Sequence, residues 1–346
     1  MTALRIGIMG AGAIGCFVGG SLAAEGTDVV FVGRERLKRE LETSGLVLSD
    51  LDGSTGRVVS ASRISFATDL AALKKVDIVL CCVKSAQTQE AGAQLAGVLG
   101  PDTIVVSMQN GVRNADVLRA ELPNHAVLGG IVGFNVVSKG NGAFRRATSG
   151  PLVIERSPDP RVVQLGAILE KAGFEVELIE EIRPLQWSKL IMNLNNAVSA
   201  LSDQPTKELI LSDGYRKILA AVMDEALGVL AAAGERTARL GVLPARFFPF
   251  VLRLPGPLVR VIAGAQVKID PEARSSMWED LSRGRLTEVD HLNGEIVRVA
   301  ESCGKRAPLN ARMVEIVHDV EKKGGGSPKL SAADLWSALN ASSSGG

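Results

Sequence analysis

Leu4-Arg5-Ile6-Gly7-Ile8-Met9 runs into Gly10-Ala11-Gly12-Ala13-Ile14-Gly15, and the helix-prone segment Cys16–Glu25 follows. An apolar strand, three glycines at G-x-G-x-x-G spacing and then a helix form the turn that binds a dinucleotide. Gly10 permits the tight turn out of the strand. Gly12 lets the backbone approach a pyrophosphate, and Gly15 lets the helix lie close on the sheet. Ala11, Ala13 and Ile14 complete the same cofactor-binding turn. The helix aims its unpaired N–H groups and its positive end at the phosphates. Glycine turns of this spacing also occur for ordinary reasons. Here the preceding strand, the following helix and the N-terminal position support the dinucleotide reading.

Working outward, Asp28–Val32 reads as the second strand. NAD-selective folds place an Asp or Glu at its end, about twenty residues past the glycines. This chain has Gly33-Arg34 there, followed by Arg36, Lys38 and Arg39. A carboxylate repels a 2′-phosphate, whereas a guanidinium binds one with paired, charge-assisted hydrogen bonds. The cofactor is therefore expected to be NADP(H), with Arg34 the first choice for the contact. Glu35 is read as pointing outward at the start of the next helix. A solvated helix face is the plainer account of the basic cluster.

Composition sets the outer bounds. The 346 residues suffice for two domains, with 46% hydrophobic and 22% charged residues. A net charge of +1 implies no polyanionic partner, so no nucleic acid is expected. Four cysteines (Cys16, Cys81, Cys82, Cys303) and three histidines (His125, His291, His318) show no disulfide framework and no metal spacing. Cys81-Cys82 sits in an apolar run and reads as filling. No charged-then-apolar leader and no unbroken apolar run of about eighteen residues is present. Phe247–Val267 comes nearest, but prolines, Arg253 and Arg260 break it. A cytoplasmic protein without a membrane span is the expectation, with a disordered tail at Ser342–Gly346.

Strands and helices then alternate. Short strands are expected at Leu46–Leu48 and Arg57–Ser60 around an Asp52-Gly53 turn. Val76–Val83 is a continuous apolar run, as a central parallel strand requires. Lys84 follows it, at the strand end where open α/β sheets bind ligands. It reads equally as a cofactor contact or as a solvated loop lysine. A helix at Ser85–Leu99 leads to a strand at Thr103–Met108, which ends in Gln109-Asn110-Gly111. Asn-Gly suits a turn; it also presents the Asn110 amide at a strand end. Strands at Ala126–Leu128 and Ile131–Val137, a hairpin at Lys139–Gly142, a strand at Leu152–Glu155, a helix at Val162–Ala172 and a strand at Phe174–Leu178 complete this half. From about Ile182 only helical periodicity remains. The fold class is thus α/β: an N-terminal doubly wound Rossmann-type sheet over residues 1–181, followed by an all-helical C-terminal domain over 182–330 and a C-terminal extension over 331–346.

In the helical half, Trp187–Ala197 reads as one apolar helix whose polar residues share a face. Lys189, Asn193 and Asn196 stand at i, i+4 and i+7. Buried polar groups on such a stripe need partners; a satisfied network between helices is the plainer account. Two further clusters are Ser275–Asp280 and Thr287–Glu295, where Thr287 is expected to cap a helix carrying Glu288 in its first turn. Pro308-Leu309-Asn310 precedes a final amphipathic helix, Ala311–Lys322.

Taken together and in order, these residues resemble the ketopantoate reductase (2-dehydropantoate 2-reductase) family over almost the whole chain. The likeness rests on Gly10-x-Gly12-x-x-Gly15, Arg34, Val83-Lys84 and Gln109-Asn110-Gly111 in the first half. In the second it rests on Trp187-x-Lys189-Leu190 with Asn193, Ser275-Ser276-Met277-x-x-Asp280, Thr287-Glu288-x-Asp290-x-x-Asn293-Gly294 and Ala307-Pro308-x-Asn310. It implies NADPH-dependent reduction of a 2-oxo acid to a 2-hydroxy acid in pantothenate biosynthesis. It implies Lys189 as general acid, Asn110, Asn193 and Ser276 as substrate contacts, Lys84 and Asn110 as cofactor contacts, and Glu288 on the nicotinamide side. Members often carry a second helix asparagine where this chain has Ala197; Asn196, one residue earlier, is the candidate replacement. The region 243–269 and the tail after Gly324 also depart from the compact family pattern.

The chemistry suits these residue types. Reducing a ketone builds negative charge on its oxygen, which a positioned ammonium stabilises before giving up a proton. Burial on an apolar helix lowers a lysine pKa toward the working range. Asn110 and Asn193 offer neutral amides, and Ser276 offers a hydroxyl to the substrate carboxylate. Two alternatives stay open: a reductase of the same build acting on another branched or aryl 2-oxo acid, and an NADPH sensor without chemistry. The helical half carries enough apolar helix face for a homodimer.

Overall fold

The computed structural model describes residues 3–51, 53–241, 243–266 and 274–341. The chain divides between Ile182 and Arg183 into two units. Asp52 of the expected turn, Val267 and the tail Ser342–Gly346 lie outside the described residues.

The first unit runs β1 (Arg5–Met9), α1 (Ala13–Ala24), β2 (Asp28–Val32), α2 (Glu35–Ser44), β3 (Leu46–Ser49), β4 (Thr55–Val59), β5 (Ser65–Ala67), β6 (Ile78–Cys81), α3 (Thr88–Ala96), β7 (Ile104–Ser107) and α4 (Asn114–Glu121). It continues with β8 (Val127–Val132), β9 (Val136–Gly140), β10 (Ala143–Arg146), β11 (Leu152–Glu155), α5 (Pro160–Lys171) and β12 (Val176–Ile179). Eight strands form one sheet in the order β12-β11-β8-β7-β6-β1-β2-β5. Neighbours are parallel except β8 and β11, which pair antiparallel. The order reverses at β1, flanked by β2 on one side and β6 on the other, and such a switch point opens a crevice at the carboxyl ends of the strands.

Every residue of β6 (Ile-Val-Leu-Cys) and β7 (Ile-Val-Val-Ser) is buried, because helices cover both faces of a parallel sheet. Burial pushes the Cys81 thiol up to about 12 and holds the Cys16 and Cys82 thiols above their ordinary value. None of the three is a thiolate near neutral pH. A second sheet, β4-β3-β10-β9, packs on α1, which also contacts β1 and β2 of the large sheet. Phe17 on α1 meets Phe134 and Phe174 at ring-centroid distances of 6.0 and 6.2 Å, and the latter two stack at 5.6 Å. The strand expected from Ile131 to Val137 is divided between β8, which runs through Gly129-Gly130 to Val132, and β9, which starts the hairpin into β10.

The second unit is helical: α6 (Arg183–Asn193), α7 (Asn195–Ser202), α8 (Thr206–Leu211), α9 (Asp213–Ala232), α10 (Phe248–Leu252), α11 (Gly256–Gln266), α12 (Ser276–Ser282), α13 (Asn293–Ser302), α14 (Pro308–Lys323) and α15 (Ala332–Asn340). The long α9 packs against α6, α7, α8, α10, α13, α14 and α15. Among the described residues a two-residue ribbon, Arg239-Leu240 against Leu243-Pro244, departs from an all-helical reading. The run nearest to a membrane span is divided between α10 and α11. Among the described residues no helix is long and apolar enough to cross a membrane. The final helix is α15 and not the one ending near Lys322. Its Leu335 and Leu339 are buried and it packs on α14, α9 and α7, so this part of the expected extension belongs to the helical unit.

Candidate active site

At the end of β1, Gly10 has φ +92°, and a Cβ there would lie 2.7 Å from the Val83 nitrogen, so only glycine makes this turn without strain. The N–H groups of Gly10 and Ala11 both donate to Val32 O, at 3.1 and 3.0 Å, tying the turn to β2. A Cβ on Gly15 would come within 2.5 Å of Gly10 O, so the third glycine is where helix and turn touch. Gly12 differs: a Cβ there meets nothing within 4 Å. It is the N-cap of α1 and makes no side-chain cap hydrogen bond. Open space before an uncapped helix N-terminus fits a pyrophosphate.

Arg34 follows β2, exposed and extended, as the N-cap of α2. Lys38 and Arg39 pair along the helix with Glu42 (2.6 Å) and Glu35 (2.9 Å), which accounts for those two as helix-surface charges. Exposed Lys84 follows β6 and precedes the turn Ser85–Gln87. Asn110 follows β7, with Gly111 at φ +91°. The glycine turn, Arg34, Lys84 and Asn110 thus stand at the carboxyl ends of four adjoining parallel strands.

Beneath Lys84 and Asn110 lies a set of buried hydrogen bonds. Ser85 Oγ donates to Asn110 O at 3.1 Å, and Asn114 Nδ2 donates to Ser85 Oγ at 3.2 Å and also to Asn110 O. Thr88 Oγ1 reaches Asn114 Oδ1 and Ser85 O, both at 2.8 Å, and accepts from Gln109 Nε2 at 2.6 Å. Ser107 Oγ donates to Gln109 Oε1 at 3.0 Å.

In the second unit the expected single helix over Trp187–Ala197 is two, α6 and α7, with a break at Leu194. Asn195 Nδ2 donates to Met192 O at 2.6 Å and occupies the carbonyl that the helix would offer to Asn196. The polar stripe is therefore interrupted: Lys189 and Asn193 lie one turn apart on α6, while Asn196 belongs to α7. Neighbouring Ser188 fixes α6, accepting from Ala238 N at 2.9 Å. Lys189 is half-buried, and burial pulls its pKa down to about 8 against the opposing pull of the Glu288 carboxylate.

Glu288 is buried, and Thr287 caps differently from expectation. Its Oγ1 accepts from Val289 N at 3.2 Å to start a single turn, Val289–His291, and Glu288 stands at the cap position, outside the turn. Glu321 on α14 accepts from Thr287 N at 2.7 Å and holds this segment in place. Ser276 opens α12. Ser275 before it caps that helix, accepting from Trp278 N at 3.1 Å, and donates to Asn196 O at 2.9 Å. Asp203 accepts from Trp278 Nε1 at 2.7 Å and pairs with Arg274 at 2.8 Å, fastening the end of α7 to the start of α12. Asn293 and Asn310 bond to one another at 3.0 Å, fully buried, so these motif positions serve the helix packing.

The first unit therefore gathers the glycine turn, Arg34, Lys84 and Asn110. The second pairs Lys189 with Glu288 electrostatically and joins Asn196 to the Ser275-Ser276 segment. Sequence reasoning missed Thr88, Asn114, Asp203 and Glu321. Their only outward sign is a polar residue beside a motif or at a helix end.

Residues 6–159 match the family described as Ketopantoate reductase PanE/ApbA, and residues 181–321 match its C-terminal domain. A 2-dehydropantoate 2-reductase of Archaeoglobus fulgidus is 30% identical over 330 residues, covering 93% of this chain and 99% of the relative. One from Halobacterium salinarum is 29% identical over 327 residues, covering 93% and 100%. Among solved structures, a PanE/ApbA family ketopantoate reductase from Ralstonia eutropha JMP134 is 33% identical with a TM-score of 0.78, over 92% of this chain and 99% of that one. A D-mandelate dehydrogenase, solved with NADH and anilino(oxo)acetate, shares the fold at TM-score 0.75 and 19% identity, over 92% and 99%. Matched in both halves and along nearly its whole length, the chain belongs to the ketopantoate reductase family of oxidoreductases.

Proposed function

We propose that the protein uses NADPH to reduce a 2-oxo acid to a 2-hydroxy acid, and that the acid is 2-dehydropantoate, giving (R)-pantoate for pantothenate biosynthesis. The observation that carries this reading is the depressed pKa of Lys189 beside buried Glu288. A lysine at about 8 is charged at neutral pH and still yields its proton readily.

Gly10–Gly15 and the start of α1 would hold the pyrophosphate, Arg34 the 2′-phosphate, and Lys84 and Asn110 the neighbouring part of the cofactor. NADPH, when bound, supplies the hydride. Lys189 holds at Nζ the proton that the reduced oxygen takes, and its charge stabilises that oxygen as negative charge builds. Glu288 offsets the burial of Lys189 and keeps it protonated near neutral pH. Asn193 and Asn196 orient the substrate through neutral amides, and Ser276 gives a hydroxyl to its carboxylate.

The test follows NADPH absorbance with purified protein against ketopantoate and a panel of branched and aryl 2-oxo acids. Turnover of ketopantoate is expected. Turnover of another acid alone would move the substrate and keep the reaction. Binding of NADPH with no turnover of any acid would replace the enzyme by a sensor. Lys189→Ala is expected to cut turnover by roughly a hundredfold or more while leaving NADPH affinity within a few-fold.

We also propose a homodimer. A ketopantoate reductase from Staphylococcus aureus, 18% identical, is described as dimeric. Here Phe250 and Val261 of the second unit are 62% and 74% exposed. Sedimentation at micromolar concentration is expected to give twice the chain mass.

A further inference from the structure

Polar residues cluster beneath the strand ends. Ser85, Thr88, Ser107, Gln109 and Asn114 are all buried, where a polar side chain is costly unless paired. Their bonds join two loops distant in sequence. One follows β6 and carries Lys84. The other follows β7 and begins with Gln109-Asn110. Asn114, in the first turn of α4, spends both amide hydrogens on this junction, one on Ser85 Oγ and one on Asn110 O. Its oxygen faces the Thr88 hydroxyl at 2.8 Å. That hydroxyl in turn accepts from Gln109, the residue before Asn110. Main chain and side chains on both loops are thus tied at one buried point.

We propose that Thr88 and Asn114 are positioning residues for the reductase: they lock the loop of Lys84 to the loop of Asn110 and so hold both side chains ready for the cofactor. This rests on the reading that Lys84 and Asn110 touch NADPH. Preorganisation of this kind removes an ordering cost that binding would otherwise carry. Thr88→Val keeps the shape of the side chain and removes its hydroxyl. It leaves Asn114 Oδ1 and Gln109 Nε2 without that partner, so the tie through Gln109 is lost and Asn114 is held less firmly where it and Ser85 meet Asn110 O.

The test compares Thr88→Val, Asn114→Ala and Thr88→Ser with Lys84→Ala and Asn110→Ala. NADPH dissociation constants come from fluorescence titration, and melting temperature and backbone hydrogen exchange over residues 84–87 and 109–111 are measured in parallel. Thr88→Val and Asn114→Ala are expected to weaken NADPH binding roughly tenfold and to speed exchange in both loops, with Thr88→Ser restoring both. If Asn114→Ala does not fold, the Thr88→Val and Thr88→Ser pair decides. Thr88→Val binding NADPH within twofold of wild type, while Lys84→Ala or Asn110→Ala binds weakly, would overturn the positioning role alone. Wild-type affinity in both Lys84→Ala and Asn110→Ala would overturn the assignment beneath it. A wild-type protein that does not bind NADPH would overturn the proposed function as well.

Discussion

Glu225 Oε1 accepts from the backbone N of Asn310 at 2.8 Å and from its Nδ2 at 2.9 Å, while Oε2 accepts from Leu309 N at 2.9 Å. One carboxylate on α9 thereby caps α14 and fixes the amide that Asn293 meets from α13. Removing it takes the acceptor from two backbone N–H groups at a half-buried helix start and leaves the Asn310 amide with Val222 O at 3.2 Å. Glu225→Ala is expected to lower stability by about 2–3 kcal/mol, read as a shift of the urea midpoint. A midpoint equal to wild type would mean that water replaces the cap at no cost.

Two glycines three residues apart should respond oppositely to the same change. Gly12→Ala enters open space, so stability should stay within about 0.5 kcal/mol of wild type. The new methyl group stands where the pyrophosphate would approach, and NADPH binding should weaken by roughly tenfold or more. Gly15→Ala brings a methyl group against Gly10 O and should cost about 1–3 kcal/mol. Thermal melting and cofactor titration of both variants read the two effects separately. Equal melting temperatures would contradict the packing described for Gly15.

As the proposed general acid, Lys189 is expected to set a pH limb. The general acid must be protonated, so the reductive rate should hold near neutral pH and fall as pH rises through about 8. Glu288→Gln removes the carboxylate that favours the charged form, which should move the limb to lower pH. Folding stability carries the opposite sign. The folded-state pKa lies below the ordinary lysine value of 10.5, so between about 8 and that value the unfolded chain binds the extra proton. Stability therefore gains a contribution as pH rises across this window, and Lys189→Met should abolish it. Initial rates and denaturation curves from pH 6 to 10 check both statements.

Arg34 is the proposed discriminator between the two nicotinamide cofactors. Arg34→Ala should raise the KM for NADPH by roughly ten- to a hundredfold, the weight of a lost charge-assisted contact. The KM for NADH should change little. Parallel steady-state kinetics with each cofactor measure the ratio, and an equal loss for both would move the 2′-phosphate contact elsewhere.

Much of this architecture is readable from local chemistry. The glycine turn, the apolar runs of β6 and β7, and the change from alternating strands to helices at Ile182 depend on periodicity and on residues a few positions apart. The residues at the strand ends could be named because parallel sheets bind ligands there. What escaped reading depends on competition or on distance. Whether Asn195 spends its amide on Met192 O or leaves that carbonyl to the helix is a choice between two local geometries, and only the folded chain makes it. Thr88 and Asn114 are 26 residues apart and meet only because β6 and β7 lie side by side. Asn293 and Asn310 stood out as part of a motif, yet they bond to one another, and Asn310 bonds to Glu225 and Val222 O. Thr287 looked like an ordinary helix cap because nothing near it announces Glu321, 34 residues away.

The break at Leu194 bears on how such an enzyme can change. Lys189 stands on a helix pinned through Ser188 to Ala238, whereas Asn196 stands on another, clasped by Ser275 and, at its far end, by Asp203. A rod carrying both would pass every adjustment at one end to the other. With Lys189 and Asn196 in the roles proposed for them, separate supports would let mutations that reshape the α7–α12 clasp retune which acid is accepted while the proposed proton donor stays seated. Selectivity and reactivity are thereby open to independent selection.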